Sequence, residues 1–322
     1  MSIKLNFSHI ISTRKILFII SLCLMLLGAD QIFAQNDIQL SQQMFSRINY
    51  NPAATGITED IHLYMLARQQ WVGFKDAPQT IVINGHTFVP WTRSGWGFSL
   101  IGDMLGYEKS FNPKIRYAFH IPFSKSKSSL SLGIGAGVMY KTIDANNLVY
   151  ENPADPNRLF GTQDKVKPDF DFGFEYNSKF LNTGASITHL GNNFNDSEST
   201  ENSPHLYVYA RGLFDLNKNW QITPGLSLHN SKSINQIEVN TLFFYKRVFW
   251  VGASYRIKES LVFLAGAYLS PNIMLGYSYD FNAHELSPYS NGSHEIMLSW
   301  KIPQPQKARK ARRMRECYHA WW

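Results

Sequence analysis

Between Asp169 and Tyr176 the chain sets Phe170, Phe172, Phe174 and Tyr176 against Asp169, Asp171, Gly173 and Glu175. Successive side chains of an extended chain point to opposite faces, so this reads as a strand with one apolar and one acidic face. Lys114 to Ile121 repeats the pattern in the basic sense: Ile115, Tyr117, Phe119 and Ile121 share one face, and Lys114, Arg116, Ala118 and His120 the other. Two folds accept such strands. A soluble β-sandwich buries the apolar face and wets the polar one, whereas a membrane barrel turns the apolar face to lipid and encloses a lumen with the polar one.

The same alternation recurs clearly in Leu130 to Tyr140, Trp220 to Leu228 and His294 to Ile302. It is weaker in Ile61 to Gln70, Thr80 to Val89, Gly95 to Ile101, Thr183 to His189, Leu206 to Phe214, Ile237 to Phe244, Val248 to Tyr255, Leu261 to Leu269 and Ile273 to Phe281. Helical periodicity is almost absent. These segments make about 14 strands, an even number as single-chain outer-membrane barrels have. After residue 34 no apolar run approaches the roughly 20 residues of a membrane helix, so a membrane location requires a barrel. Counted from a periplasmic amino terminus, the connections of one end are all short. The other end receives the three longest, which is the asymmetry of outer-membrane barrels. The expected fold is all-β, a transmembrane antiparallel β-barrel over residues 61–302.

Residues 1–34 read as a cleaved signal peptide. Lys4, Arg14 and Lys15 precede the apolar run Ile16 to Leu27, and Ala34 ends the segment on a small residue. Cys23 as a lipoprotein cysteine fits poorly, because it lies inside the apolar run and Leu24 follows it. With the signal removed, Cys317 is the only cysteine left, so no intramolecular disulfide forms. The net charge of +7 sits at the two ends: +2 in the signal, and +5 in the tail from Lys307, Arg309, Lys310, Arg312, Arg313 and Arg315 against Glu316. The chain between them is neutral, which removes a nucleic-acid-binding face.

The stretch before the first strand carries unlike residues in a fixed order: Gln42, Asn51-Pro52-Ala53 and Gly56, then Arg68, Gln70 and Trp71, then Ala77-Pro78 and Thr80. Asn51-Pro52 forbids a continuing helix and Gly56 lets the backbone turn. This order resembles the opening of the PorP/SprF family of type IX secretion system membrane proteins. The resemblance implies an outer-membrane barrel of a Gram-negative envelope with no enzyme activity. It also implies a role in export or surface attachment of secreted proteins such as gliding adhesins. Its partners would be the periplasmic ring and motor complex, a secreted adhesin or cargo protein, and outer-membrane lipid.

Within that frame, residues 35–60 are expected to form a periplasmic segment. Gln42, Asn51, Pro52, Ala53, Gly56, Arg68, Gln70, Trp71, Pro78 and Thr80 are candidate contacts for secretion partners. The plainer reading puts Trp71 in an aromatic girdle and Arg68 on turn carbonyls. Residues 303–322 form a basic periplasmic tail, either solvated or a docking peptide with Arg309, Arg312, Arg313, Trp321 and Trp322 as its grip. The lumenal charges on Lys114, Arg116 and His120 are expected to meet those on Asp169, Asp171 and Glu175 across the space as a plug of ion pairs. The alternative is a conducting pore, as in a diffusion porin or small-solute uptake channel.

Catalytic and cofactor signatures are weak. Gly133, Gly135 and Gly137 fall on one face of a strand with no helix behind them, so they make room inside a barrel and form no phosphate loop. No nucleophile elbow or paired zinc-type histidine spacing occurs. Asp144, Asn146, Glu151, Asp155 and Asp164 offer oxygen atoms on the longest loop, but their spacing matches no calcium-binding loop. No cofactor, metal or catalytic residue is expected.

Overall fold

The computed structural model describes residues 38–58, 60–123, 128–147, 160–193, 203–232, 235–246, 248–282 and 290–304. Its strands are β1 (Ile61–Gln69), β2 (Gln79–Val89), β3 (Ser94–Leu105), β4 (Glu108–Phe123), β5 (Ser128–Asp144), β6 (Thr162–Asn177), β7 (Leu181–Thr188), β8 (His205–Gly212), β9 (Phe214–Asp215), β10 (Trp220–Asn230), β11 (Asn235–Tyr245), β12 (Phe249–Arg256), β13 (Ser260–Ser270), β14 (Ile273–Asn282) and β15 (Ser293–Ile302). The two-residue β9 continues β8 beyond a break at Leu213, and both pair with β10. Each strand pairs antiparallel with its sequence neighbours, and β1 pairs with β15, Ile61 facing Ile302 and Arg68 facing Glu295. With β8 and β9 taken together, fourteen strands close into a barrel without an edge. Closure satisfies the ladder hydrogen bonds within the sheet, which lipid demands. No described helix is long and apolar enough to cross a membrane.

Alternation places the side chains as the residue pattern requires. Ile115, Phe119, Phe170, Phe172 and Phe174 are exposed on the outer wall, while Lys114, Arg116, His120, Asp169, Asp171 and Glu175 are buried inside. At one end of the barrel the connections are four residues or fewer; at the other they include residues 70–78, 145–161, 189–204 and 283–292.

Two features differ from the sequence-based expectation. The loop expected over residues 142–168 is shorter, because β5 and β6 run on as a hairpin of 17 and 16 residues, well past the roughly 10 that cross a membrane. Tyr140 OH and Thr142 Oγ1 both donate to Asp164 Oδ1, at 3.0 and 2.7 Å, and lock that extension. Of the five oxygen-bearing residues placed on that loop, Asp144 and Asp164 are thereby strand residues and Asn146 lies in the turn Ala145–Asn147, while Glu151 and Asp155 lie outside the described residues.

The second difference is larger. The segment 35–60, expected to precede the barrel on its periplasmic side, is not outside it: residues 38–57 lie inside the lumen. They form a chain of three short 3-10 turns, Gln43–Phe45, Arg47–Asn49 and Pro52–Ala54, whose buried side chains include Leu40, Gln42, Met44, Phe45, Arg47, Ile48 and Asn51. These residues complement the inward face of the strands, and neither could bury its polar groups alone. Alternation reads strand faces, and it is silent on where an irregular segment goes.

Candidate functional site

The lumenal segment meets the barrel wall in three zones. Near the end with long connections, Ser41 and Gln42 are held by β1, β12, β14 and β15. The backbone N–H groups of Ser41 and Gln42 donate to the two oxygens of Glu295, at 2.9 and 2.7 Å. The Ser41 hydroxyl donates to Asp280 at 2.7 Å and accepts from Arg68 Nη1 at 2.8 Å and Arg256 Nη2 at 3.1 Å. Arg68 also pairs with Asp280 at 2.7 Å and Glu295 at 3.3 Å, and Arg256 with Glu238 at 3.1 Å and Asp280 at 3.2 Å. One serine thus joins side chains that already neutralise one another.

Below this network the lumen is apolar. Leu40, Met44 and Phe45 pack among Tyr64, Leu66, Leu242, Phe244, Trp250, Val262, Leu264 and Met297, with the Phe45 and Trp250 rings 4.5 Å apart. Burial of each such side chain contributes about 1.5–3 kcal/mol.

The third zone is polar. Arg47 Nε donates to Glu175 Oε2 at 2.9 Å, and Glu175 also accepts from Asn177 at 2.8 Å and from the Tyr209 hydroxyl. Three donors on one buried carboxylate satisfy it as a charged group. Asn49 ties to Asn84 at 2.8 Å and its carbonyl accepts from Arg116 at 3.0 Å. Arg116 in turn pairs with Asp171 at 3.0 Å, and Lys114 bridges Asp171 at 2.7 Å and Asp169 at 2.9 Å. Of the ion pairs expected across the lumen, those of Lys114 and Arg116 with Asp169 and Asp171 form, but along the wall from β4 to β6, while Glu175 pairs with Arg47 of the lumenal segment and His120 bonds Ser131 and the Thr55 carbonyl.

Asn51, Pro52 and Ala53 sit where the wall has no side chains. A Cβ on Gly133 would lie 2.2 Å from Ala53 N, and one on Gly173 the same distance from Asn51 Oδ1. Asn51 donates through Nδ2 to Phe174 O at 3.0 Å and to Tyr209 OH at 2.9 Å, and accepts from Ala53 N at 2.9 Å. Extended at φ −132°, as a residue before proline prefers, it caps the turn Pro52–Ala54. Gly56, at φ +72°, packs against Gly95 so closely that neither tolerates a side chain.

A chain of imidazoles closes the other end. Gly56 N donates to His86 Nδ1 at 3.1 Å, so a neutral His86 carries its proton on Nε2, 3.2 Å from His62 Nδ1. That leaves the His62 proton on Nε2, facing Ser299 Oγ at 2.7 Å. His120 Nε2 bonds the Thr55 carbonyl at 3.0 Å.

The ten candidate contact residues divide accordingly. Gln42, Asn51, Pro52, Ala53, Gly56, Arg68, Pro78 and Thr80 are buried, and Gln70 and Trp71 half-buried. Arg68 reaches carboxylates of β14 and β15 in place of the turn carbonyls expected for it. The Arg68 to Trp71 and Ala77 to Thr80 portions lie on either side of one connection, where Gln70 N donates to Pro78 O at 2.9 Å and Thr80 Oγ1 to Asp103 at 2.5 Å. Trp71, at φ +44°, is pinned in this unfavourable backbone region by Ser293 Oγ, 3.2 Å from its N–H. The tail residues Arg309, Arg312, Arg313, Trp321 and Trp322 lie outside the described residues.

Sequence reasoning missed Ser41, Arg47, Glu238, Arg256, Asp280 and Glu295. The last four occupy inward parity positions on their strands, a signal legible once the strand register is known. Counted over the described residues, the buried lumen holds six bases, Arg47, Arg68, Lys114, Arg116, Arg211 and Arg256. Six acids, Asp169, Asp171, Glu175, Glu238, Asp280 and Glu295, balance them. Such a lumen has no net charge to select ions.

A closed antiparallel barrel with an apolar outer wall, packed inside by its own chain, is a transmembrane β-barrel of the outer-membrane type. Among solved structures, the CymD monoaromatic hydrocarbon channel is similar at 13% identity, TM-score 0.51, over 85% of this chain and 95% of that one. The TodX deltaS2S3 mutant monoaromatic hydrocarbon channel is similar at 9% identity and 0.50, over 82% and 95%. Omp33 of Acinetobacter baumannii matches at 8% identity and 0.45, over 77% and 100%. At these identities the likeness extends to the fold alone. No curated protein matches the chain. The chain belongs to the family described as type IX secretion system membrane protein PorP/SprF, which matches residues 32–300.

Proposed function

We propose that this chain is an outer-membrane component of the type IX secretion system that supports export or surface attachment of secreted proteins such as gliding adhesins. In this reading it acts as an anchor and not as a pore. It reaches the outer membrane by a signal peptide cleaved after Ala34, and it catalyses no reaction. Its partners are the periplasmic ring and motor complex, a secreted client, and outer-membrane lipid. The observation that carries the anchor reading is the filled lumen: a channel needs an open polar path, and here the path is occupied by residues 38–57. The periplasmic partners would meet the short turns and the basic tail, whose Arg309, Arg312, Arg313, Trp321 and Trp322 offer charge and aromatic area for an acidic protein surface.

The test is affinity recovery of the tagged protein from detergent-solubilised outer membranes, with and without residues 303–322. The reading expects other type IX components to accompany the full chain and to be depleted when the tail is removed. Recovery of the full chain alone, together with normal secretion in its absence, would overturn it.

A further inference from the structure

We infer that the chain enters and leaves the barrel on opposite sides of the membrane, Ile38 on the face with the long connections and Gln304 on the face with the short turns. Gln39 Nε2 donates to Glu259 Oε2 at 3.3 Å, and Glu259 lies in the connection between β12 and β13, on the long-connection end. Ile38 lines a cavity of about 90 Å³ with Ile101, Asp103, Glu108 and Lys141, residues of the same end. From there the segment descends. Phe45 reaches Trp250, one residue into β12, and Gly56 reaches Gly95 beside the turn between β2 and β3. Past the end of β15, Gln304 Nε2 donates to Thr87 Oγ1 at 2.8 Å, on the short-turn end.

The parity is decisive. Fourteen strands return the chain to the side from which β1 starts, and the lumenal passage adds a fifteenth crossing. A chain with an odd number of crossings enters and leaves the barrel on opposite faces. With long connections outward, as the proposed outer-membrane role requires, a partner gripping the chain upstream of Ile38 meets it at the cell surface. One gripping the chain beyond Ile302 meets it in the periplasm. A pull on the outer end would be borne inside the lumen, through Ser41 and Gln42 to Asp280 and Glu295. The single chain would then transmit load across the membrane without a transmembrane helix.

Cysteine accessibility tests this in cells. One strain carries the native chain with Cys317, and the other Cys317→Ser with Asn36→Cys; both are checked for the heat-modifiable band of a folded barrel. A membrane-impermeant maleimide should label Asn36→Cys fully in intact cells, with no gain on permeabilising the outer membrane, whereas Cys317 should be silent until permeabilisation. Both thiols labelling from the same side overturns the inference. Labelling from opposite sides in the reverse sense leaves the passage through the lumen intact but overturns the outward placement, and with it the orientation used in the proposed function. Independently of orientation, Gln39→Cys with Glu259→Cys, in the Cys317→Ser background, should be joined by a short thiol crosslinker. A folded barrel that yields no such crosslink contradicts the passage.

Discussion

Arg47 of the lumenal segment and Glu175 of β6 form an ion pair at 2.9 Å in which both side chains are almost wholly removed from solvent. Its partners are separated by 128 residues, so the contact fixes the segment to the wall. Breaking a buried pair leaves an uncompensated charge, at a cost of about 3–5 kcal/mol. Arg47→Met should therefore lower the temperature of the folded-to-unfolded gel shift markedly. Arg47→Met with Glu175→Gln should recover part of that loss, and equal losses in the single and double variants would show that the pair is not coupled.

Arg211 supplies the contrast. Its Nη1 is buried with no hydrogen-bond partner among the described residues, and it shares its surroundings with Arg47. A buried charge without an ion partner is itself a cost, so Arg211→Met should leave the same transition unchanged or raise it. A loss as large as that of Arg47→Met would contradict this contrast between a paired and an unpaired buried arginine.

The glycines of the wall make a steric prediction. Gly133→Ala would drive a Cβ into the backbone of Pro52 and Ala53, whereas a Cβ at Gly102 meets nothing within 4 Å. Overpacking of this kind costs about 1–3 kcal/mol, or displaces the segment outright. Protease sensitivity of residues 38–57 in the detergent-purified barrel should rise for Gly133→Ala and stay unchanged for Gly102→Ala. Equal sensitivity in the two variants would place the Asn51-Pro52-Ala53 turn elsewhere.

Lys114 and Asp171 pair at 2.7 Å from β4 and β6 across the width of β5. Lys114→Asp and Asp171→Lys should each reduce the yield of folded barrel, and the double exchange should exceed both single variants. A double variant no better than the worse single one would indicate that the surrounding Arg116 and Asp169 fix the polarity of the site.

The barrel itself was legible because alternation is a strong signal: Phe170, Phe172 and Phe174 could face only lipid once Asp171 and Glu175 were required inside. Strand number and the sorting of short and long connections followed from it. The fate of residues 38–57 was not legible, since 3-10 turns have no period and their burial depends on a wall assembled from strands far along the chain. Gly133 and Gly173 held a partial clue. Small inward residues mark free space, and the tightly specified Asn51-Pro52-Ala53 was the part of the chain shaped to fill it. The partners of Arg68 were equally hidden, because Asp280 and Glu295 lie more than 200 residues ahead of it and join it only when β15 closes onto β1.

Single-channel recording of the purified full-length protein in a planar bilayer tests the central claim, that the lumen is occupied by the chain's own amino-terminal segment. The filled lumen predicts a quiet membrane, with steady conductance appearing only when the segment is dislodged, as by Gly133→Ala or Arg47→Met. A stable, ohmic, porin-sized conductance from the unmodified protein would contradict it.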